Sequence, residues 1–414
     1  MVWRTGLRSL TIVLVSAFLA AMPRCAAQSS GGGLSVIALG DAGESNGVLR
    51  GNAFYLTEMM MGRHDAGKPD LLLFLGDNFI PIGLNGAKND IDGDVKARLG
   101  PFKEVLEALS RDRVHAIPGE HDYYARYAVE NTGFFGLFHS TEGPTGISDK
   151  GARRETEIPS WTFHHRLPEE LTLPIAEGAA DSVQFIFFDS ALPLRTATAT
   201  WHPALEGLKG VLERSEVRTG VLWRVLCVHH PLRSVGVHGG YSVWDDEAQA
   251  VEYLTECDKD TNAAGFVRNW LDPEDLCTEK YRQYIDSVTA IIKLVGVKIH
   301  IVLGAHDRSL QLLYAPEVGV GCDACPRIQL ISGAASLPTR VKLPAPPREF
   351  TSANSAPEKQ GVSTPGFAQL QFDREHVRIV FISGRTGDPV DMGDGQTTFW
   401  VNRNGDLVDM PPPK

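Results

Sequence analysis

Residues 301 to 311 read IVLGAHDRSLQ, an aliphatic run that stops at Gly304 and gives way to Ala305, His306, Asp307 and Arg308. Ile299, Ile301 and Leu303 alternate with the period of a strand, so the run reads as a short core strand with a polar cluster at its carboxyl end. Such a cluster is either a hydrogen-bonded turn or the lip of a ligand crevice, because strand ends in open α/β sheets line the binding site. The pattern recurs: Gly40-Asp41-Ala42-Gly43 follows LSVIAL, Gly76-Asp77-Asn78 follows DLLLFL, Gly119-Glu120-His121-Asp122 follows VHAIP, and His229-His230-Pro231 follows WRVLCV. A lone Asp after Gly is ordinary turn or cap chemistry. Five clusters at converging strand ends gather carboxylates and imidazoles into one crevice, and that donor mixture suits zinc or a divalent transition metal.

Helix-period segments near Val48 to Arg63 and near Val95 to Ser110 alternate with the first strands, the signature of right-handed βαβ units. Later strands read VQFIFFDS, WRVLCVHHP, KIHIVLGAHD, RIQLISGAAS, FAQLQFD and HVRIVFIS, the last two spaced as a hairpin. The expected fold is α/β, a two-sheet sandwich flanked by helices, as one domain over residues 28–414. Within it, TEGPTGISDKGARRETEIP and the Pro/Ala/Ser-rich stretch from Leu337 read as long surface loops. The acidic stretch 245–279 reads as an insertion over the site.

With 414 residues, 43% of them hydrophobic, the chain is able to bury a large core. Its formal charge of −11, with no Lys/Arg cluster, argues against a nucleic-acid partner. At the amino terminus Arg4 and Arg8 precede an apolar stretch from Leu10 to Met22 and then Cys25-Ala26-Ala27, the pattern of a signal peptide over residues 1–27. That apolar stretch is shorter than the roughly 20 residues of a spanning helix, and no later segment reads as transmembrane. The expected location is therefore outside the cell or in an endomembrane lumen, where disulfides form. Cys227, inside an apolar strand, reads as a buried thiol; local pairing would join Cys257 to Cys277 and Cys322 to Cys325, although sequence does not fix connectivity. Zinc at CDAC is disfavoured because no second Cys or His pair stands at finger spacing.

In order along the chain, GDAG, GDNF, GEHD, HHPLRSVGVHGG and GAHDRSLQ resemble the motifs of the calcineurin-like metallophosphoesterases, and among them the purple and tartrate-resistant acid phosphatases. LISGAAS and PGFAQLQFD are also similar to that branch, and the resemblance runs from about Leu34 to Arg385. It implies that Asp41 binds a first metal, that Asp77 bridges two, and that Glu120, His229 and His306 hold the second. His121 and His238 would stand near the phosphate and leaving group. Two metals would clamp the oxygens of a phosphate ester substrate and activate water for in-line attack.

The departures from that pattern matter. Purple enzymes carry a tyrosine three residues after the bridging aspartate, and Ile80 stands there. The closing motif has histidines on both sides of its aspartate, whereas this chain has His306, Asp307 and Arg308; Glu120 stands where the family has asparagine. Asp41, Asp77 and Glu120 bring three negative charges, and Arg308 brings one positive charge that does not titrate away. One divalent cation neutralises the remainder. The expectation is a single Zn, Fe or Mn ion, with the Arg308 guanidinium near the first metal position. The activity implied is metal-dependent hydrolysis of phosphoric monoesters; the alternative is an inactive phosphatase-fold scaffold that engages a protein partner.

Overall fold

The computed structural model describes residues 33–80, 83–84, 91–123, 155–195, 198–239, 242–245, 250–253, 276, 278–316, 321–339, 341, 349–351, 364–393 and 395–409. In chain order the strands are β1 Leu34–Leu39, β2 Leu71–Leu75, β3 Val114–Ile117, β4 Thr162–Phe163, β5 Glu169–Pro174, β6 Ser182–Phe187, β7 Val221–Cys227, β8 Ser242–Asp245, β9 Ala250–Tyr253, β10 Ile301–Gly304, β11 Leu310–Tyr314, β12 Ile328–Ser332, β13 Glu349–Thr351, β14 Gly366–Phe372, β15 His376–Ser383, β16 Thr398–Asn402 and β17 Leu407–Val408. The α-helices are α1 Gly47–Met60, α2 Ile91–Leu99, α3 Lys103–Ala108, α4 Ala191–Arg195, α5 Thr198–Glu216 and α6 Glu279–Val295.

One sheet runs β17-β16-β15-β14-β1-β2-β3-β4 and the other β13-β11-β12-β10-β7-β6-β5. The expected two-sheet α/β sandwich is therefore observed. β1, β2 and β3 are parallel neighbours in the first sheet, as βαβ connections require; β6, β7, β10 and β12 are parallel neighbours in the second. β14 and β15 form the expected antiparallel hairpin. Along β10, Ile301 and Leu303 join Val36, Phe185, Val225 and Leu370 between the sheets, while Val302 turns outward to the helices with Tyr284 and Val288. Ile299 precedes the strand and packs in that outer cluster, so it does not share a face with Ile301 as its spacing suggested.

The helix expected from Val95 to Ser110 is broken. Gly100–Phe102 forms a 3₁₀ turn between α2 and α3, because Pro101 has no N–H for the helical ladder. α6 is well bounded: the Thr278 side chain accepts from Tyr281 N, and Gly296 closes the helix at φ 77°.

All described residues fall in one compact unit, Gly32–Lys414. Residues 1–27, expected to be a leader, both Cys257 and Cys277, and most of the acidic stretch 245–279 lie outside the described residues. Where that stretch is described, β8 and β9 pair antiparallel. Cys322 and Cys325 are disulfide-bonded, and Cys227 is a buried free thiol whose acidity burial suppresses. Among the described residues no helix is long and apolar enough to cross a membrane.

Candidate metal centre

The order of strands explains how distant motifs meet. Asp41, Asp77 and Glu120 follow three adjacent parallel strands of one sheet, and His229 and His306 follow two adjacent parallel strands of the other. The sandwich brings the two sets of carboxyl ends face to face.

Tight turns aim the side chains. Among the described residues five non-glycine residues have positive φ, and Asp41 (56°), Asp77 (54°), His306 (62°) and Arg308 (48°) are four of them. Backbones of this kind concentrate at functional sites. Glycine is required where the loops touch. A Cβ on Gly119 would lie 2.3 Å from Asp77 Oδ1 and 2.8 Å from His229 Nε2, and one on Gly333 would lie 2.7 Å from Asp41 Oδ2.

Buried hydrogen bonds join these loops to one another and to the helices. Asp122 accepts from Gly119 N at 2.8 Å, Phe79 N at 3.0 Å and Asn78 N at 3.2 Å, so one carboxylate ties the second loop to the third. Asn46 Nδ2 donates to Ser336 O, and Asn52 Nδ2 donates to Ala335 O, fixing the loop after β12 to α1. From α6, Tyr281 Oη donates to Pro231 O at 2.7 Å and Tyr284 Oη to His230 O at 3.0 Å, holding the His229-His230-Pro231 turn.

At the centre, Glu120 Oε2 lies 2.9 Å from His229 Nε2 and 3.2 Å from His230 Nε2, while Oε1 lies 3.3 Å from His306 Nδ1. Asp77 Oδ1 is 3.7 Å from His229 Nε2. One potential ligand atom each from Glu120, His229, His230 and His306 lies within a 4.8 Å cluster, and Asp41, Asp77 and His229 form a second, overlapping one. These six positions include every residue the sequence assigned to metal and add His230.

Several buried polar atoms here make no hydrogen bond: both Asp41 oxygens, Asp77 Oδ2, Glu120 Oε2 and the Nε2 atoms of His229 and His230. His229 Nδ1 lies 2.6 Å from Leu75 O, so Nδ1 carries the proton, and a neutral ring presents its Nε2 lone pair to the Glu120 carboxylate. Two acceptors 2.9 Å apart in a buried site call for a cation or a proton. The donor set therefore fits a metal held through Glu120 and His229, with His306 in the cluster on one side and Asp77 in the overlapping cluster on the other.

The chain's own electrostatics say the same. Burial, with Asp77 and Glu120 nearby, pushes Asp41 up to about 7 against the pull of His229 and Arg308. Burial and the Glu120 charge push Asp77 up to about 7 as well. Burial would also raise Glu120, yet His306 and His229 outweigh it and hold this carboxyl well below its ordinary range. Asp77 and Glu120 likewise overcome burial at His229 and raise it. The pocket carries surplus negative charge, which a cation relieves and protons otherwise share.

Arg308 lies beside the two carboxylates with which the sequence reading paired it. Its Nε is 3.5 Å from Asp41 Oδ1, its Nη2 is 4.0 Å from Asp77 Oδ2, and only 23% of its side chain is exposed. Nη2 also lies 3.2 Å from His121 Nε2. Guanidinium has no acceptor, so His121 Nε2 must receive this bond and cannot carry a proton there. His121 otherwise faces Asp77 Oδ2 at 3.7 Å and Glu120 Oε1 at 3.8 Å. The ring of His238 stacks obliquely on that of His306, 4.4 Å between centroids, and its backbone N donates to Asp307 Oδ1. Ile80 is buried beside Gly43 and offers no ligand.

His230 and Asp122 were quoted in the sequence but given no role. His230 is visible there only as the second of two histidines; nothing in sequence says that its ring turns inward as well.

A model of the calcineurin-like phosphoesterases matches residues 34–265. The chain belongs to the calcineurin-like phosphoesterase family. That membership accounts for five motifs at five strand ends, and the buried donor cluster is one that could hold a metal. Comparison with curated protein sequences returned no match. Among solved structures the family member is similar to GAP50, "the anchor in the inner membrane complex of Plasmodium", at 12% identity and TM-score 0.54, over 88% of this chain and 91% of that one. It is also similar to purple acid phosphatase PPD1 from yellow lupin (Lupinus luteus) seeds at 12% identity and TM-score 0.51, over 92% of this chain and 55% of the lupin chain. PhoD aligns at 10% identity and TM-score 0.50, over 92% of this chain and 72% of that one. Identities this low carry the fold and no more.

Proposed function

We propose that this chain is a phosphoesterase-fold binding protein that holds one metal at Asp77, Glu120, His229 and His306 and does not turn over phosphate esters as a dinuclear enzyme does. The observation that carries this reading is the Arg308 guanidinium. It pairs with Asp41 and Asp77, the carboxylates of the first metal position, and it donates to His121 Nε2. The first interaction supplies a fixed positive charge in place of a titratable, exchangeable ion. The second removes from His121 the proton it would need to assist a leaving group at that nitrogen. A metal in the remaining position would neutralise Asp77 and Glu120 and act as a Lewis acid toward a phosphate oxygen. Glu120, in place of a neutral asparagine, adds a charge that repels an incoming dianion.

For this chain an anchoring role, the word used for GAP50, is one use of the fold, and its partner would be a protein. The Cys322–Cys325 disulfide supports placing the chain in an oxidising compartment, in keeping with a secretory leader. A second reading, a one-metal phosphomonoesterase, is favoured by the partial exposure of His121 and Arg308, 21% and 23% of their side chains, at an otherwise closed site. Metal analysis of the purified chain, run beside hydrolysis of a generic aryl phosphate, separates the two. One metal and no hydrolysis above background is expected. Two metals, or turnover abolished by Asp77→Asn, overturns the proposal.

A further inference from the structure

His229 and His230 are adjacent in sequence, both are fully buried, and both rings place Nε2 against Glu120 Oε2. Their other nitrogens meet opposite kinds of partner. His229 Nδ1 faces the Leu75 carbonyl, which only accepts, so that nitrogen carries the proton and Nε2 keeps its lone pair. His230 Nδ1 faces Ser190 Oγ at 3.0 Å. That oxygen already accepts two backbone N–H groups, from His229 at 3.2 Å and from His230 at 2.9 Å.

A hydroxyl has two acceptor sites and one proton. With both sites filled by backbone donors, what Ser190 has left to offer is its O–H, and His230 Nδ1 is the acceptor within reach. The Tyr284 hydroxyl also lies near Ser190, while its own proton goes to the His230 carbonyl. Sending the Ser190 proton to Tyr284 would leave His230 Nδ1 either an acceptor with no donor or, if protonated, a third donor on an oxygen with two lone pairs. The arrangement that fits both lone pairs and the proton of Ser190 puts the His230 proton on Nε2. That N–H lies 3.2 Å from Glu120 Oε2, within donating distance although not aimed straight at the oxygen.

We infer that the two histidines are locked in opposite tautomers, His229 as a metal ligand and His230 as a positioning residue that turns Nε2–H toward Glu120 and stays outside the coordination sphere. Its consequence concerns Glu120. A carboxylate in a position where the family carries an amide has one more charge and no N–H of its own, and His230 sets a fixed N–H beside its Oε2. Ser190, in the turn between β6 and α4, is then the residue that decides the tautomer through the backbone of the very turn it supports.

The inference deepens the one-metal reading and rests on it for the role of Glu120. The test uses the full mature chain with zinc as the probe. Histidine side-chain ¹⁵N–¹H correlation spectra of the zinc-loaded chain are expected to show His230 as the Nε2–H tautomer and His229 as the Nδ1–H tautomer. His230→Gln, which keeps an N–H donor, is expected to hold zinc within severalfold of wild type. His230→Phe is expected to weaken it about 10–100-fold, the range for loss of a group that orients a ligand. His229→Gln should lose zinc altogether. An Nδ1–H tautomer at His230, or a loss in His230→Gln as large as in His229→Gln, overturns the inference. If wild type takes up no zinc, the one-metal reading fails, and the tautomers of the chain as purified still decide the His230 assignment.

Discussion

Replacing Arg308 with histidine removes a fixed charge from two carboxylates and offers a nitrogen ligand in its place. At the observed separations of 3.5 Å to Asp41 and 4.0 Å to Asp77, and an effective dielectric of about 20, each attraction is roughly 4–5 kcal/mol. These energies are not lost in full. The side chain is partly hydrated, and with Asp41 and Asp77 already pushed up to about 7, the orphaned carboxyls take up protons instead of remaining charged. A loss of about 3 kcal/mol, the low end for breaking a buried pair, is expected for Arg308→His at pH 8 in chelator, and a markedly smaller loss at pH 5. Dialysis against zinc or manganese should then restore stability and raise the metal content from one ion per chain toward two. Urea unfolding at both pH values and elemental analysis read the two effects. If Arg308→His matches wild type in stability at pH 8 and in metal content, the guanidinium is not standing in for a cation.

His229→Ala or His306→Ala should empty the remaining metal position, since each removes a scarce nitrogen donor; metal retained in both would mean that the site is elsewhere. The metal-free chain should become less stable as pH rises from about 4 to about 7: Asp41 and Asp77, raised to about 7 by burial, keep protons that unfolded carboxyls release near their ordinary 3.8. Glu120, held low, works in the opposite sense, but only below its ordinary 4.5. Stability measured in chelator should therefore fall across that window, and the gain on adding zinc should grow with pH because the metal displaces those protons; flat profiles would contradict the surplus charge described. Ile80→Tyr together with Arg308→His, loaded with iron, should show a visible tyrosinate band that Arg308→His alone lacks. A non-reduced digest should yield a Cys257–Cys277 peptide pair, and linkage of Cys257 to another cysteine would show that the insertion is tethered differently.

The strand-end clusters were legible because strand alternation and turn chemistry are local: LSVIAL, DLLLFL and IVLG each announce a buried strand before a polar turn. The place of Arg308 was also within reach, since its charge is fixed and the count of carboxylates is written in the chain. His230 was not, because the direction of its ring depends on Ser190 and on two tyrosines of α6, more than fifty residues away. Asp122 was hidden for a similar reason: the three amides it accepts come from loops after two different strands. β5, β11, β16 and β17 went unread as well. Glu169–Pro174 is partly exposed and carries charge at its start, so its pattern is that of an edge and not of a core strand.

The left-handed backbone at Asp41, Asp77, His306 and Arg308 has a thermodynamic consequence. Each such residue costs on the order of 1 kcal/mol, so the four together consume a sizeable part of the 5–15 kcal/mol by which a folded domain outlasts its unfolded chain. Glycine at any of them would relieve that local cost. The folded state therefore spends part of its stability margin holding three ligand-type side chains and one guanidinium in a single crevice, and a chain optimised for stability alone would have no reason to do so. Whatever the sandwich carries or anchors, its heat tolerance is set partly by this crevice, and a cation bound there returns stability to the whole molecule and not only to the site.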